Sequence, residues 1–97
     1  MKRYVIERDI PGVGHKADPD YVGISQTSNA ALAQLAPRVQ WEHSYVAGDQ
    51  TFCVYLAESE DDIRRHAELS GFPANRITPI NRIIDPVTGG LSKALGI

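Results

Sequence analysis

The pattern of hydrophobic and polar positions in the first third of the chain predicts a strand followed by a helix. Residues 3–9 (RYVIERD) are apolar and β-branched in part, and Pro11 and Gly12 supply the turn that ends a strand. Residues 21–35 carry apolar side chains at a helical period instead. Pro37 marks the end of this helix, because proline disfavours a continuing helical backbone.

The middle of the chain predicts an antiparallel hairpin. Residues 39–47 (VQWEHSYVA) alternate bulky and polar side chains, and residues 51–57 (TFCVYLA) are rich in aromatic and β-branched types. The dipeptide Gly48-Asp49 between them is typical of tight hairpin turns. The two segments are therefore expected to pair as the second and third strands.

The last third predicts a second helix and a fourth strand. Ser59 is a favourable N-cap, three acidic residues follow it in the first turn, and Gly71 ends the helix. Residues 76–85 (RITPINRIID) have the character of a strand. Pro79 places this strand at the edge of a sheet, because proline has no N–H to donate.

The order of these elements predicts an α+β fold, the ferredoxin-like βαββαβ sandwich. In this fold a four-stranded antiparallel sheet carries two helices on one face. Residues 1–87 form the domain, and residues 88–97 form a loose C-terminal tail with a short helix near 91–95. The second face of the sheet is uncovered. Because an uncovered face with aromatic side chains usually has a partner, we expect a homodimer.

Composition narrows the class of protein. The 97 residues make one domain, and the formal net charge of −2 with scattered basic residues argues against a nucleic-acid binder. The single cysteine cannot form an internal disulfide, which suggests a reducing compartment. The sequence has no apolar signal region and no apolar run of membrane-spanning length. We therefore expect a cytoplasmic protein with neither nucleic acid nor membrane as a partner.

The register of the hairpin decides which side chains share a face of the sheet, and a two-residue turn gives the first possibility. Ser44 then pairs with Cys53, and His43 pairs with Val54. The helix side receives the bulky set, namely Trp41, Tyr45, Phe52, Val54 and Leu56. The open side receives Glu42, Ser44, Cys53 and Tyr55.

A longer loop or a bulge gives the second possibility, in which the pairing shifts by one residue. Cys53 then lies across from Tyr45 and diagonal to His43, and the open face carries Trp41, His43, Tyr45, Cys53 and Tyr55. The helix side must absorb polar side chains, namely Gln40, Glu42 and Ser44. Burial without partners costs roughly 1–3 kcal/mol for each of them, which favours the two-residue turn.

Cys53 and His43 are the candidate site residues in the hairpin. A thiolate and an imidazole suit nickel, zinc or copper, and a carboxylate such as Glu7 could complete the ligand set. Glu7 is expected near Cys53, because the first strand neighbours the third in this fold. A small buried hydrophobe is the competing interpretation of Cys53. His66 is expected to pack within the second helix, and His15 lies in a loop.

Three segments together resemble a known family: IERDIPG at 6–12, WEHSYVAGDQTFCVYLA at 41–57 and RRHAELSGFPANRIT at 64–78. The chain is similar over roughly residues 3–87 to small actinobacterial and proteobacterial proteins described as nickel-binding or as a domain of unknown function. The resemblance implies a ferredoxin-like fold, a homodimer and Ni²⁺ binding. The residues that match these segments are Glu7, Trp41, His43, Ser44, Tyr45, Cys53, Tyr55 and His66.

Two hypotheses of function follow. The first is a dimeric protein that binds a metal ion, Ni²⁺, through some of His43, Cys53 and Glu7. The alternative is a cofactor-free enzyme or small-molecule binder of the dimeric α/β-barrel type, whose pocket forms between the sheet faces of the dimer. Glu7, His43 and the tyrosines 45 and 55 would then supply acid–base groups. The sequence leaves open whether any catalysis occurs.

Overall fold

The computed structural model describes residues 1–91, 95 and 96, and its centre is a four-stranded antiparallel sheet. The strands are β1 (Lys2–Asp9), β2 (Val39–Ala47), β3 (Gln50–Ala57) and β4 (Arg76–Pro79). The helices are α1 (Asp18–Leu35) and α2 (Glu60–Ser70), and short 3₁₀ turns occupy Val13–His15 and Pro86–Gly90. The spatial order is β2-β3-β1-β4. This topology confirms the predicted ferredoxin-like α+β fold, with β1 beside β3 and β4 at an edge.

The hydrophobic core lies between the helices and one face of the sheet. On β1 the alternating residues Tyr4, Ile6 and Arg8 are buried, and Val5 and Glu7 between them are only partly covered. Tyr4 pairs with Tyr55, and Ile6 pairs with Cys53. Directly paired residues point to the same face of a sheet, so this alternation extends from β1 to β3. The helices therefore cover the face that Tyr4 and Ile6 define.

Helix α1 begins at Asp18, three residues before the predicted start. Pro19 occupies its first turn, where the missing N–H costs nothing, and the Asp20 carboxylate accepts a hydrogen bond from the Ala17 N–H at 3.2 Å. The helix ends at Leu35, as Pro37 predicts. Its buried face consists of Ser28, Ala31 and Leu35.

Helix α2 has the termini that the sequence predicts. The Ser59 hydroxyl accepts a hydrogen bond from the Asp62 N–H, and Gly71 adopts the left-handed conformation with φ 78°. The Asp62 carboxylate also accepts three hydrogen bonds from the Arg38 guanidinium, at 2.9, 3.0 and 3.2 Å. The Arg38 pair and the Ser59 hydroxyl hold the pKa of Asp62 below its usual value. This pair ties the start of β2 to the first turn of α2.

The hairpin has a two-residue turn with a bulge further along β2. Ala47 pairs with Gln50, Ser44 with Cys53 and His43 with Val54, as in the first register. The pairing shifts at Glu42, so Trp41 pairs with Tyr55 and not with Leu56. The extra residue of the bulge turns Trp41 towards the same face as Ser44.

Trp41 lies on the helix side as the first register predicted, but the assignment of most other hairpin residues to the two faces was wrong. Cys53 and Tyr55 lie on the helix side, where both are buried. Phe52, Val54 and His43 share the opposite face, defined here as the open face of the sheet. The polar side chains judged costly to bury have partners or leave the core: the Ser44 hydroxyl accepts a hydrogen bond from the Trp41 indole N–H at 3.0 Å, and the bulge leaves Glu42 exposed.

The fourth strand is shorter than predicted. It ends at Pro79, whereas residues 76–85 were expected to continue as a strand. Pro79 forms the last pair with β1, opposite Tyr4, and Ile83 and Ile84 beyond it are exposed. Pro86–Gly90 form a 3₁₀ turn in which the Asp85 carboxylate accepts from the Thr88 N–H. The short helix predicted near 91–95 falls partly outside the described residues.

Gly14 lies where the Val13–His15 turn closely contacts the hairpin. Its N–H donates to the Gly48 carbonyl at 2.7 Å, and a Cβ at Gly14 would lie 2.6 Å from that oxygen. We expect Gly14→Ala to lower the free energy of unfolding by roughly 1–2 kcal/mol, because backbone atoms must move apart.

Gly23→Ala is the matched control for that substitution. Gly23 lies within α1 with open space around the position of a Cβ, so alanine there should stabilise the chain by about 0.5–1 kcal/mol through helix propensity. Urea titrations of both variants measure the difference. Equal effects at the two positions would contradict the close approach at Gly14.

Candidate functional site

His43 and Glu7 both lie on the open face of the sheet. The exposed His43 imidazole meets the Tyr45 ring edge-on, with 5.0 Å between ring centroids. Glu7 pairs with Phe52 on one side and with Arg76 on the other, and its carboxylate lies 3.7 Å from the Arg76 guanidinium. One strand separates His43 from Glu7, because β3 lies between β2 and β1.

Cys53 lies on the other side of the sheet, under the helices. Its side chain is 6% exposed, and its thiol donates to the Thr51 hydroxyl at 3.5 Å. The sheet itself therefore separates Cys53 from His43 and Glu7. Within one chain the structure does not bring the three predicted metal ligands together. In residues 1–91, 95 and 96 no three His, Cys, Asp or Glu side chains are grouped so that they could hold a metal ion.

A buried polar cluster, formed by Ser28, Tyr55, His66 and Arg8, lies on the helix side instead. The Ser28 hydroxyl shares hydrogen bonds with the Tyr55 hydroxyl and with His66 Nε2, both at 3.2 Å. The rings of Tyr55 and His66 are in contact, with 4.9 Å between their centroids. Ser28 of α1, Tyr55 of β3 and His66 of α2 therefore meet at this point, and Arg8 of β1 adds a positive charge to the cluster.

His66 is fully buried, and its environment keeps it neutral. Burial, followed by the nearby positive charge of Arg8, lowers the pKa of His66 from 6.5 to about 4. Its Nε2 contacts Ser28, but Nδ1 is buried without a hydrogen-bond partner among the described residues. Burial likewise raises the pKa of the Tyr55 phenol, against the opposing effects of the Ser28 hydrogen bond and of Arg8. Both groups therefore remain uncharged at neutral pH.

Arg8 is the unusual member of the cluster, since its side chain is only 2% exposed. One terminal nitrogen, Nη1, donates to the Pro73 carbonyl at 2.8 Å, and the guanidinium carbon lies 5.8 Å from the centre of the Phe72 ring. The other nitrogen, Nη2, is buried with no hydrogen-bond partner among the residues that the structure describes. Arginine is rarely buried without an anion beside it.

A cavity of about 240 Å³ adjoins this cluster, between α1 and the helix-facing side of the sheet. Its walls are mostly apolar, with Val13, Ile24, Trp41 and Phe72 among the lining residues. The polar lining groups include Arg8 together with the side chains of Ser28, Thr51, Cys53 and Tyr55. A small apolar cavity with a few convergent polar groups is the usual form of a ligand site.

The pattern of alternating and helical positions in the sequence predicts this cluster, which lies on the other face of the sheet from His43 and Glu7. Arg8 has the same strand parity as Tyr4 and Ile6, so alternation alone puts its side chain on the buried face. Ser28 lies on the helical stripe of Ala31 and Leu35. The alternative hypothesis placed a pocket between the open sheet faces of a dimer, whereas the cavity lies beneath α1.

No helix among the described residues is both long enough and apolar enough to cross a lipid bilayer. Comparison with curated proteins gave no match. The crystal structure of SCO4226 from Streptomyces coelicolor A3(2) matches with a TM-score of 0.68 at 15% sequence identity. That match covers 84% of this chain and 99% of the other, and at this identity it demonstrates a shared fold.

The family of this chain is identified from its sequence. The model of the SCO4226-like family, described as nickel responsive protein SCO4226-like, matches residues 4–80. The matched range includes all four strands and both helices, apart from the first two residues of β1. The chain belongs to the SCO4226-like family of nickel responsive proteins.

Proposed function

We propose that this chain is a nickel-responsive protein that binds Ni²⁺ as a homodimer, with the metal held at the open face of the sheet. The observation that carries the proposal is the family match over residues 4–80. The fold shared with the Streptomyces coelicolor protein is consistent with it.

The donor groups of the open face fit nickel in chemistry but not in number. The His43 imidazole is exposed to an incoming ion, and the Glu7 carboxylate is partly exposed on the same face. Imidazole nitrogen and carboxylate oxygen are both suitable ligands for Ni²⁺. The part of one chain that the structure describes offers too few of them near one another. We therefore infer that a second copy supplies further ligands, so that two His43 side chains approach each other across a two-fold axis.

The exposed apolar surface of the open face supports this dimer. Tyr45 is 62% exposed, and Phe52, Leu56 and Val5 on the same face are partly exposed. A contiguous apolar face on so small a chain is typical of a surface that binds a partner. Cys53 has no part in the proposed site, because it lies beneath the helices.

Replacing His43 tests the proposed ligand. We expect His43→Ala to weaken Ni²⁺ binding by tenfold or more in a calorimetric titration, because an imidazole–metal bond is lost. His15→Ala removes another exposed imidazole, one that lies outside the sheet, and should leave the affinity unchanged. Cys53→Ser should also leave it unchanged. A loss of affinity in Cys53→Ser with none in His43→Ala would refute the open-face site.

The dimer and the physiological metal need a separate measurement. Protein prepared without a histidine tag and without added metal should contain nickel by elemental analysis, at no more than one ion per two chains if both His43 side chains share it. Sedimentation with and without Ni²⁺ should give a dimer that Tyr45→Glu disrupts, because a charge is placed in the apolar face. A monomer at all Ni²⁺ concentrations would contradict the shared site.

A further inference from the structure

We propose that the cavity beneath α1 binds a small organic acid, whose carboxylate pairs with the buried guanidinium of Arg8. This site is separate from the open face, because the sheet lies between them. The inference does not depend on nickel binding.

No carboxylate among the described residues compensates the charge of Arg8. Arg8 is 2% exposed, and the salt bridges of the described residues join other partners: Arg3–Glu42, Arg38–Asp62, Arg64–Glu60 and Arg76–Glu7. The Pro73 carbonyl satisfies Nη1, while Nη2 remains unpaired. Taking a charge out of water without a counter-charge is costly, and removing that cost is a source of binding energy for an anion.

Among the described residues that line the cavity, Arg8 is the one charged side chain, and the others are apolar or carry hydroxyl, thiol or indole groups. His66 behind Ser28 is neutral at physiological pH, so it neither repels nor replaces the guanidinium. Among the lining residues that the structure describes, an anion entering the cavity therefore meets the Arg8 guanidinium and no carboxylate.

The residues that line the cavity indicate which class of anion it binds. Inorganic phosphate needs several donors around its oxygens, whereas this cavity offers one guanidinium edge and a few hydroxyls within apolar walls. A planar carboxylate matches the guanidinium with two parallel hydrogen bonds, and an apolar body fits against Ile24, Trp41 and Phe72. The cavity volume of about 240 Å³ restricts the ligand to a small acid.

The cavity is accessible from outside. Val46 lines it and is 42% exposed, which places an opening at the hairpin end of the sheet. Ser25 and Tyr21 of α1 line the same region and are partly exposed. A ligand can therefore enter with its apolar body near this opening and its carboxylate directed inwards to Arg8.

Benzoate and hexanoate are suitable probes, with benzamide and inorganic phosphate as comparisons on the wild-type chain. Trp41 is the only tryptophan and lines the cavity, so its fluorescence reports occupancy. We expect saturable binding of at least one carboxylate, benzamide weaker than benzoate by at least tenfold, and no saturable response to phosphate. Amide chemical shifts should move around α1 and β3 and not on the open face.

Two variants test the charge and the space separately. Arg8→Met keeps much of the side-chain volume and should abolish the preference for benzoate over benzamide, whereas Arg65→Met removes an exposed arginine and should leave it intact. Ser25→Phe fills the cavity while Arg8 remains, and it should prevent carboxylate binding. If Arg8→Met does not fold, the wild-type series and Ser25→Phe still decide the question.

The proposal is overturned by any of three results. One is that neither benzoate nor hexanoate binds. The second is that benzamide or phosphate binds as tightly as benzoate. The third is that Arg8→Met or Ser25→Phe retains the wild-type preference and affinity for the carboxylate.

Discussion

Replacing Tyr55 with alanine is expected to lower the free energy of unfolding by roughly 3–5 kcal/mol. Tyr55 is 2% exposed at the centre of the helix-facing side of the sheet, where it contacts His66 and shares a hydrogen bond with Ser28. Truncation removes a buried ring and leaves the Ser28 hydroxyl with one partner fewer. Urea unfolding followed by circular dichroism measures the loss, and Tyr55→Phe should cost only about 1 kcal/mol for the hydroxyl.

Phe52→Ala is the matched control, because it removes a ring of similar size from the open face. Phe52 is only partly covered, so the same truncation should cost less than half as much. The proposed dimer would cover Phe52, and the comparison is therefore made at protein concentrations where sedimentation gives a monomer. If Phe52→Ala proves the more destabilising of the two, the side chains of β3 face the other way.

Acidification between pH 6.5 and about 4 is expected to destabilise the chain through His66, by an amount on the order of 2 kcal/mol. The pKa of His66 is lower in the folded chain than in the unfolded one. In this pH window His66 therefore binds a proton in the unfolded state but not in the native state, and stability falls as the pH falls. Above pH 6.5 neither state is protonated at His66, and its contribution to stability is fully present.

His66→Gln provides the control for that prediction. Gln cannot titrate, so the slope of unfolding free energy against pH should become flatter between pH 6.5 and 4. Asp62 acts in another window, because its lowered pKa makes its contribution disappear only as the pH falls below its ordinary value of 3.8. Urea titrations at several pH values separate the two. An unchanged slope in His66→Gln would mean that another group causes the acid sensitivity.

The elements whose causes are local could be predicted from the sequence. Ser59 and Gly71 bound α2 in the sequence and in the structure, because capping depends on residues within a few positions of the helix end. The Gly48-Asp49 turn fixed the pairing of Ser44 with Cys53 in the same way. The fourth strand was predicted too long, because pairing with β1 ends at Pro79 although apolar residues continue beyond it.

The candidate site was less predictable, because it depends on which face of the hairpin meets the helices. The cost of burying Gln40, Glu42 and Ser44 decided the prediction, but that cost vanishes for Ser44 when the Trp41 indole donates to its hydroxyl. The bulge at Glu42 leaves Glu42 and Gln40 exposed. Neither event has a signature within the hairpin itself. The separation of Cys53 from His43 follows from the two-residue turn, which pairs His43 with Val54 and thereby places Cys53 on the opposite face.

The sequence by itself determined the order of strands and helices, the ends of α2, the turn of the hairpin and membership of a nickel responsive family. Each of these follows from short-range spacing or from matching residues along the chain. Only the tertiary structure decided that Cys53 and Tyr55 lie under the helices and that Ser28, Tyr55 and His66 meet in a buried cluster near Arg8 and a cavity. Those contacts join residues far apart in sequence, and their free energies depend on the hydrogen bonds and space that each finds in the packed core.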